Sequence, residues 1–184
     1  IKQNMSIVGL KMVKELRGVP CFEVEIAGKR RQSICISRTF GVEVHHFSVL
    51  AQALSTYAAI CGTKLRKQKS CAGIITIFIF TNPFKQQNHV KYKGFRTIRL
   101  DTPTNDSLKI VSTTMAGLRS IYRGDCIYKK AGVIVSGIVP QSQVQLSFFD
   151  NIGDIEKRYR LMQAVDAVND SCGSMKIRLG INGF

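Results

Sequence analysis

The residues able to carry chemistry are few in this sequence, and they lie far apart. Its histidines are His45, His46 and His89, and its cysteines are Cys21, Cys35, Cys61, Cys71, Cys126 and Cys172. A zinc site needs four such ligands at short paired spacings. No CxxC pair occurs, so the His45-His46 pair reads as a surface or strand-end feature. HExxH, GxxxxGK[ST] and GxGxxG are all absent. Glu43, Asp101, Asp106 and Asp125 are scattered, whereas phosphoryl transfer needs carboxylates gathered at strand ends around Mg2+. No catalytic residue and no metal ligand is assigned. The abundant chemistry is fixed positive charge: 27 Lys and Arg stand against 12 Asp and Glu, a net charge of +15. That imbalance argues for a polyanionic partner, nucleic acid first and an anionic membrane second. Lysines, arginines, hydroxyls and backbone amides contact phosphates and carry little sequence information.

A second chemistry sits late in the chain. Gln145, Leu146, Ser147, Phe148 and Phe149 place apolar anchors beside a glutamine, with Asp150 after them. Pro140 and the polar run behind it are expected to release the chain from the preceding strand. Exposed anchors of this kind suit a docking peptide that fills a partner's pocket. Leu146 and Phe148 folding back onto their own core is the other reading of the same residues.

The elements that must position these groups follow from periodicity. Ser6 to Arg17 is a short helix stopped by Gly18, and Val19, Pro20, Phe22, Val24 and Ile26 are extended. Ser33 to Phe40 alternates as a half-buried strand, with Arg38 interrupting its apolar face. Ser48 is the expected N-cap of a helix with the stripe Leu50, Ala53, Leu54, Tyr57, Ala58, Cys61 and Leu65. Lys64, Arg66, Lys67 and Lys69 suit that helix's C-terminal dipole. Ala72 to Thr81 is apolar on both faces and reads as a central strand, with Phe78 and Phe80 in its core. Lys91 to Leu100 is a strand carrying Lys91, Lys93, Arg96 and Arg99. After Thr102-Pro103-Thr104, a helix capped at Asn105 or Asp106 bears Leu108, Val111, Met115, Leu118 and Tyr122, and Gly124 ends it. Cys126 to Ile138 is the last strand of the body. A third helix runs over 154–169, and Met175 to Leu179 reads as a short strand.

The order is β-α-β-β-α-β, an α+β fold. It gives a four-stranded, mainly antiparallel sheet with two helices on one face and a short helix and strand appended at the C-terminal end. The other face is then free to act as a cationic platform. A chain of 184 residues holds one domain with a real core plus an appendage. It opens on Ile1 rather than Met and is expected to be a piece of a longer protein; no basic-then-apolar leader opens the given stretch, and a piece can have lost one. No run approaches the ~18 apolar residues of a membrane span. Cys35, Cys61 and Cys71 fall in apolar patterns, read as buried small hydrophobes, and point to a reducing, cytosolic compartment.

Several stretches, in order, carry a family resemblance. Ile34-Cys35-Ile36-Ser37-Arg38-Thr39-Phe40-Gly41 resembles the opening of the little-finger domain of UmuC-type Y-family DNA polymerases. Ser55 to Ala59, Lys64 to Arg66, Thr81 to Phe84, Thr102 to Asp106 and Tyr128 to Val133 continue the likeness. Gln145 to Asp150 looks like the family's sliding-clamp motif, with Phe148 where Leu is usual, and Leu161 to Asn169 resembles its C-terminal tail. The resemblance implies thumb end and tether over 1–32, a DNA-binding little finger over 33–139, a clamp-binding linker over 140–152 and a UmuC-type segment over 153–184. It implies an error-prone translesion polymerase of the SOS response, bacterial, cytoplasmic and nucleoid-associated. The expected partners are template-primer DNA, the sliding clamp, a UmuD-type accessory subunit and a recombinase filament, with no membrane. The metal-binding palm would precede this chain, so Mg2+ is expected only there and no cofactor here. DNA binding is assigned to Arg38, Thr39, Phe40, Lys91, Lys93, Arg96, Arg99, Lys129 and Lys130. A different class, an RNA- or single-stranded nucleic-acid-binding module, would stack bases on exposed aromatics of the middle strands. A small enzyme is a third class, disfavoured by the missing constellation.

Overall fold

The strand that begins at Ser33 runs further than expected, past a register shift after Thr39. In the computed structural model, which describes residues 6–22, 31–84, 90–145, 152–173 and 175–183, it is a twelve-residue strand, β1, Ser33–Val44. The chain divides into two compact units, Ile1–Arg30 and Arg31–Phe184. In the first unit, helix α1 (Ile7–Leu16) ends at Gly18, whose φ of 79° suits a residue without a side chain. The Glu15 carboxylate then accepts from the backbone amides of Cys21 at 2.5 Å and Phe22 at 3.0 Å, fixing the turn. Val24 and Ile26, expected to be extended, lie outside the described residues.

The second unit follows β1 with α2 (Phe47–Lys67), β2 (Ser70–Thr81), β3 (Lys93–Thr104), α3 (Ser107–Ile121), β4 (Tyr128–Pro140) and α4 (Ile152–Cys172). The sheet order is β1-β4-β2-β3, and every neighbouring pair is antiparallel. Each helical crossover therefore skips one strand: α2 carries the chain from β1 past β4 to β2, and α3 carries it from β3 past β2 to β4. The two crossovers run in opposite directions along antiparallel strands, so the same handedness puts both helices on one face.

That face holds the core. Ile34, Ile75, Ile77, Ile79, Val133 and Val135 from the strands meet Leu50, Leu54, Ala58, Cys61 and Leu65 of α2 and Ile110, Met115 and Leu118 of α3. Each fully buried Leu or Ile contributes about 1.5–3 kcal/mol. α3 approaches the sheet closely at Gly117, where an added Cβ would lie 2.5 Å from Cδ1 of Ile77. Tyr128 closes the α3–β4 connection: its hydroxyl donates to the Arg123 carbonyl at 3.0 Å and accepts from the Arg123 amide at 2.8 Å.

Several local expectations are corrected. The N-cap of α2 is His46, and Ser48 lies inside the helix. Thr102-Pro103-Thr104 belongs to β3 rather than to a turn. Asp106, one of the two expected caps, does cap α3 by accepting from the Leu108 amide at 2.9 Å, but the fully buried stripe passes through Ile110 and Ile121, with Leu108 and Tyr122 only partly buried. Residues 175–177 form turn and bend and 178–179 are irregular, so no strand forms there. Cys61 and Cys71 are buried as expected, but Cys35 is exposed.

α4 is fastened to the C-terminal end of α2. Arg66 grips Asp166 with both arms of its guanidinium, at 2.6 and 2.8 Å, and also donates to the Asn105 carbonyl at 2.7 Å and to Ser107 Oγ at 2.9 Å. Arg158 reaches Asp106 at 3.5 Å, and Met162 is buried beneath the helix. Arg66 thus works as a tie between helices, where its position in a basic cluster suggested a charge at a helix end.

Candidate nucleic-acid interface

The strand register defines the face that α2 and α3 leave uncovered. Side chains alternate along a strand, so residues paired across the sheet share a face. Four rows run across it: Thr39, Lys130, Phe80, Lys93; then Ser37, Gly132, Phe78, Phe95; then Cys35, Ile134, Thr76, Thr97; then Ser33, Ser136, Ile74, Arg99. Ser33, Cys35, Thr39, Lys93, Phe95, Thr97 and Arg99 are exposed. The four rows contain two lysines, one arginine, six hydroxyl residues (Ser33, Ser37, Thr39, Thr76, Thr97 and Ser136) and no carboxylate. Thr76 and Thr97 share a hydrogen bond of 3.0 Å across β2 and β3.

This arrangement separates the assigned DNA-binding residues into groups. Thr39, Lys93, Arg99 and Lys130 lie on the open face. Lys91 is exposed just before β3. Arg38 pairs with Ala131, and Arg96 with Ile77, so both belong to the helix-covered side, where the outer strands β1 and β3 still leave them exposed. The charge of Arg38 opposes the upward shift that burial gives the Tyr57 hydroxyl, which places the guanidinium by α2. Phe40 packs partly buried against the core. The ladder slips between Phe80 and Thr81, which pair with Lys130 and Tyr128; Lys129 is the extra residue of this bulge, and its ammonium donates to the Gly41 carbonyl at 3.0 Å.

Sequence reasoning missed the aromatic centre of the face. Phe78 and Phe80 do not join the core between sheet and helices. They point to the open side, with ring centroids 5.0 Å apart, and Phe95 lies 5.0 Å from Phe80 and 6.0 Å from Phe78. Phe78 is 6% exposed and Phe95 is 57% exposed. Phe78 is sheltered because its ring lies over Gly132: an added Cβ there would come within 2.7 Å of Phe78 Cε1 and 2.5 Å of Ser37 Cβ. An apolar strand followed by a basic one with Phe95 at its centre was the available signal, but only the register reveals that these rings meet.

The docking stretch begins at the other end of β4. Pro140 still pairs with Ser70, and the Gln141 amide donates to the Lys69 carbonyl at 3.0 Å. Asn105 holds both sides, donating to the Ser70 carbonyl and to Gln141 Oε1 at 3.2 Å each. The chain is therefore still held to the sheet at Pro140 and Gln141, where the 3-10 turn Gln141–Gln143 begins. Gln145 is exposed, whereas Leu146, Ser147, Phe148 and Phe149 lie outside the described residues. Among the described residues no three of His, Cys, Asp or Glu come together as a metal-holding group, and no helix is long and apolar enough to cross a membrane.

Residues 31–148 match the impB/mucB/samB family C-terminal domain. The chain is similar to Protein UmuC of Salmonella typhimurium, 34% identical over 173 residues, which is 94% of this chain and 41% of the relative. Protein MucB of Salmonella typhimurium is 32% identical over 169 residues, covering 92% of this chain and 40% of the relative. Protein ImpB of the same organism is 30% identical over 171 residues, covering 93% and 40%. The chain thus spans about two fifths of the length of the relatives it matches. A family match over residues 31–148, in a chain whose relatives align over more than nine tenths of it, makes this protein a member of the impB/mucB/samB family.

Proposed function

We propose that this chain is the DNA-holding, clamp-tethering region of an error-prone translesion DNA polymerase acting in SOS repair. The observation that carries the reading is the open sheet face: Lys93, Arg99 and Lys130 stand among hydroxyls with no carboxylate in the four rows. Cations spread over a broad sheet suit a sugar-phosphate backbone, because each neutralised phosphate releases bound counterions and none demands a particular base. Arg38, Arg96 and Lys91 extend the positive field along the sheet's outer edges. Family membership and the resemblance of Gln145 to Phe149 to a clamp motif support the second half of the reading. Gln145 would supply donors and an acceptor, and Leu146, Phe148 and Phe149 the apolar anchors, worth about 1.5–3 kcal/mol each when fully buried. Fixing the backbone and side chains of the peptide on binding opposes this, so tethering matters more than isolated affinity.

On this reading the chain performs no chemistry of its own. Catalysis and Mg2+ belong to another domain of the parent polymerase, and a UmuD-type subunit and a recombinase filament are its further partners in the bacterial cytoplasm. The test uses two arms. Fluorescence anisotropy with a labelled primed duplex reads DNA binding, and pull-down with purified bacterial sliding clamp reads docking. Replacing Phe148 and Phe149 together with alanine should abolish clamp capture and leave duplex affinity and melting temperature unchanged. A double variant that unfolds makes the two rings core residues, and one that folds and still binds clamp moves the docking site elsewhere.

A further inference from the structure

Backbone binding explains the cations on the open face but not the aromatic rings between them. A duplex keeps its bases stacked inside and offers a flat protein surface only sugars and phosphates. Exposed rings become useful when the nucleic acid is single-stranded, because every unpaired base has a face to stack and stacking tolerates any sequence. We infer that Phe95, supported by Phe78 and Phe80 and flanked by Lys93 and Lys130, is a stacking site for an unpaired nucleotide of single-stranded DNA. The inference rests on the reading that this face holds DNA, and it names the form of DNA that the centre of the face takes.

The geometry supports one base rather than a run of them. Phe95 is the ring that solvent reaches, at 57% exposure, while Phe78 is 6% exposed and lies over Gly132. The Phe80 and Phe95 rings are inclined at 59°, so they offer no continuous flat surface for two bases. They form a floor that holds Phe95 in place and limits the side-chain entropy lost on binding. Lys93 is two residues before Phe95 on the same strand and face, about 7 Å away along β3. A nucleotide whose base covers Phe95 can therefore lay its own phosphate near Lys93 through the intervening sugar. Lys130 flanks Phe80 from the other side in the same row as Lys93, where a neighbouring phosphate can reach it. Charge decides the occupant: a protein partner with an apolar patch would meet two ammonium groups and no carboxylate, whereas a nucleotide brings the matching anion.

The experiment compares two fluorescein-labelled probes of equal duplex length, one blunt and one carrying a single-stranded overhang of a dozen thymidines. The unaltered chain should bind the overhang probe more tightly. Phe95→Ala should weaken the overhang probe about tenfold, within the range for loss of one base–aromatic stack, and leave the blunt probe within twofold. The sequence contains no tryptophan, so Phe95→Trp introduces the sole indole of the protein. That variant should keep the overhang affinity, and its fluorescence should be quenched by the overhang probe and not by the blunt one. It also keeps the test decisive if Phe95→Ala does not fold. Equal losses on both probes, no loss on either, or an unquenched indole at saturating overhang probe would overturn the stacking site while leaving DNA holding intact. Failure of the unaltered chain to bind either probe would instead remove the DNA-holding reading itself.

Discussion

Removing the carboxylate of Asp166 isolates the tie that fastens α4 to the body of the second unit. Two charge-assisted hydrogen bonds from Arg66 converge on it, at 2.6 and 2.8 Å. The Arg66 side chain is 7% exposed and that of Asp166 is 18% exposed. Breaking a buried pair by deleting one partner costs about 3–5 kcal/mol, while surface pairs contribute about 0–1 kcal/mol. Arg66 keeps its bonds to the Asn105 carbonyl and Ser107 when Asp166 is lost, and water can reach the vacated edge. Asp166→Ala should therefore cost about 2–3 kcal/mol, between those limits. The loss falls on the docking of α4, not on the sheet core, so it appears as local opening. Amide exchange across α4 should accelerate about 30- to 150-fold, since each 1.4 kcal/mol is a factor of ten, while exchange in β2 and β4 stays unchanged. Arg66→Met should be worse, because it also cuts the links from α2 to the start of α3. Unchanged exchange in α4 of folded Asp166→Ala protein would refute the reasoning.

Gly132→Ala should displace the Phe78 ring and destabilise the domain by about 1–3 kcal/mol, the usual cost of overpacking; a melting temperature equal to the unaltered chain's would contradict the close approach seen there. Thiol labelling at pH 8 should modify Cys35 and Cys172 rapidly and spare Cys61 and Cys71 until the chain unfolds. Burial pushes the Cys61 thiol up to about 12 and the Cys71 thiol up to about 11, so the reactive thiolate stays scarce at either site as pH rises from 7 to 9. Rapid native labelling of Cys61 would show that the α2 core opens. Primer extension by the purified chain should be nil with Mg2+ or Mn2+; chelator-sensitive incorporation would place a catalytic centre in it.

The elements were legible because each has one buried face. The alternation of Ser33 to Phe40 and the helical stripes of α2 and α3 announce where their apolar sides lie, and two such helices after two such strands require a sheet covered on one side. What a strand does when both its faces are apolar was not legible. β2 buries Ile75, Ile77 and Ile79 under the helices, and the same run presents Phe78 and Phe80 to the other side, where a glycine 54 residues away in sequence makes room for the ring. The pairing order β1-β4-β2-β3 decides which cations share a face, and it separates Arg38 and Arg96 from Lys93 and Lys130 although all four sit in basic strands. Arg66 was misread for a related reason: its carboxylate partner lies 100 residues further along the chain. Local patterns reveal elements; a long-range tie between two of them leaves no local pattern.

The salt dependence of duplex binding tests the open face most directly. Each phosphate neutralised contributes about 0.9 to the slope of log affinity against log salt. Lys93→Gln combined with Lys130→Gln should make that slope shallower by about 1.8, and weaken binding alike on unrelated sequences. Lys109→Gln, which removes an exposed charge from α3 on the covered side, should leave the slope as it was. A double variant that folds and keeps the full slope, or a Lys109 variant that loses as much, would contradict DNA holding by this face.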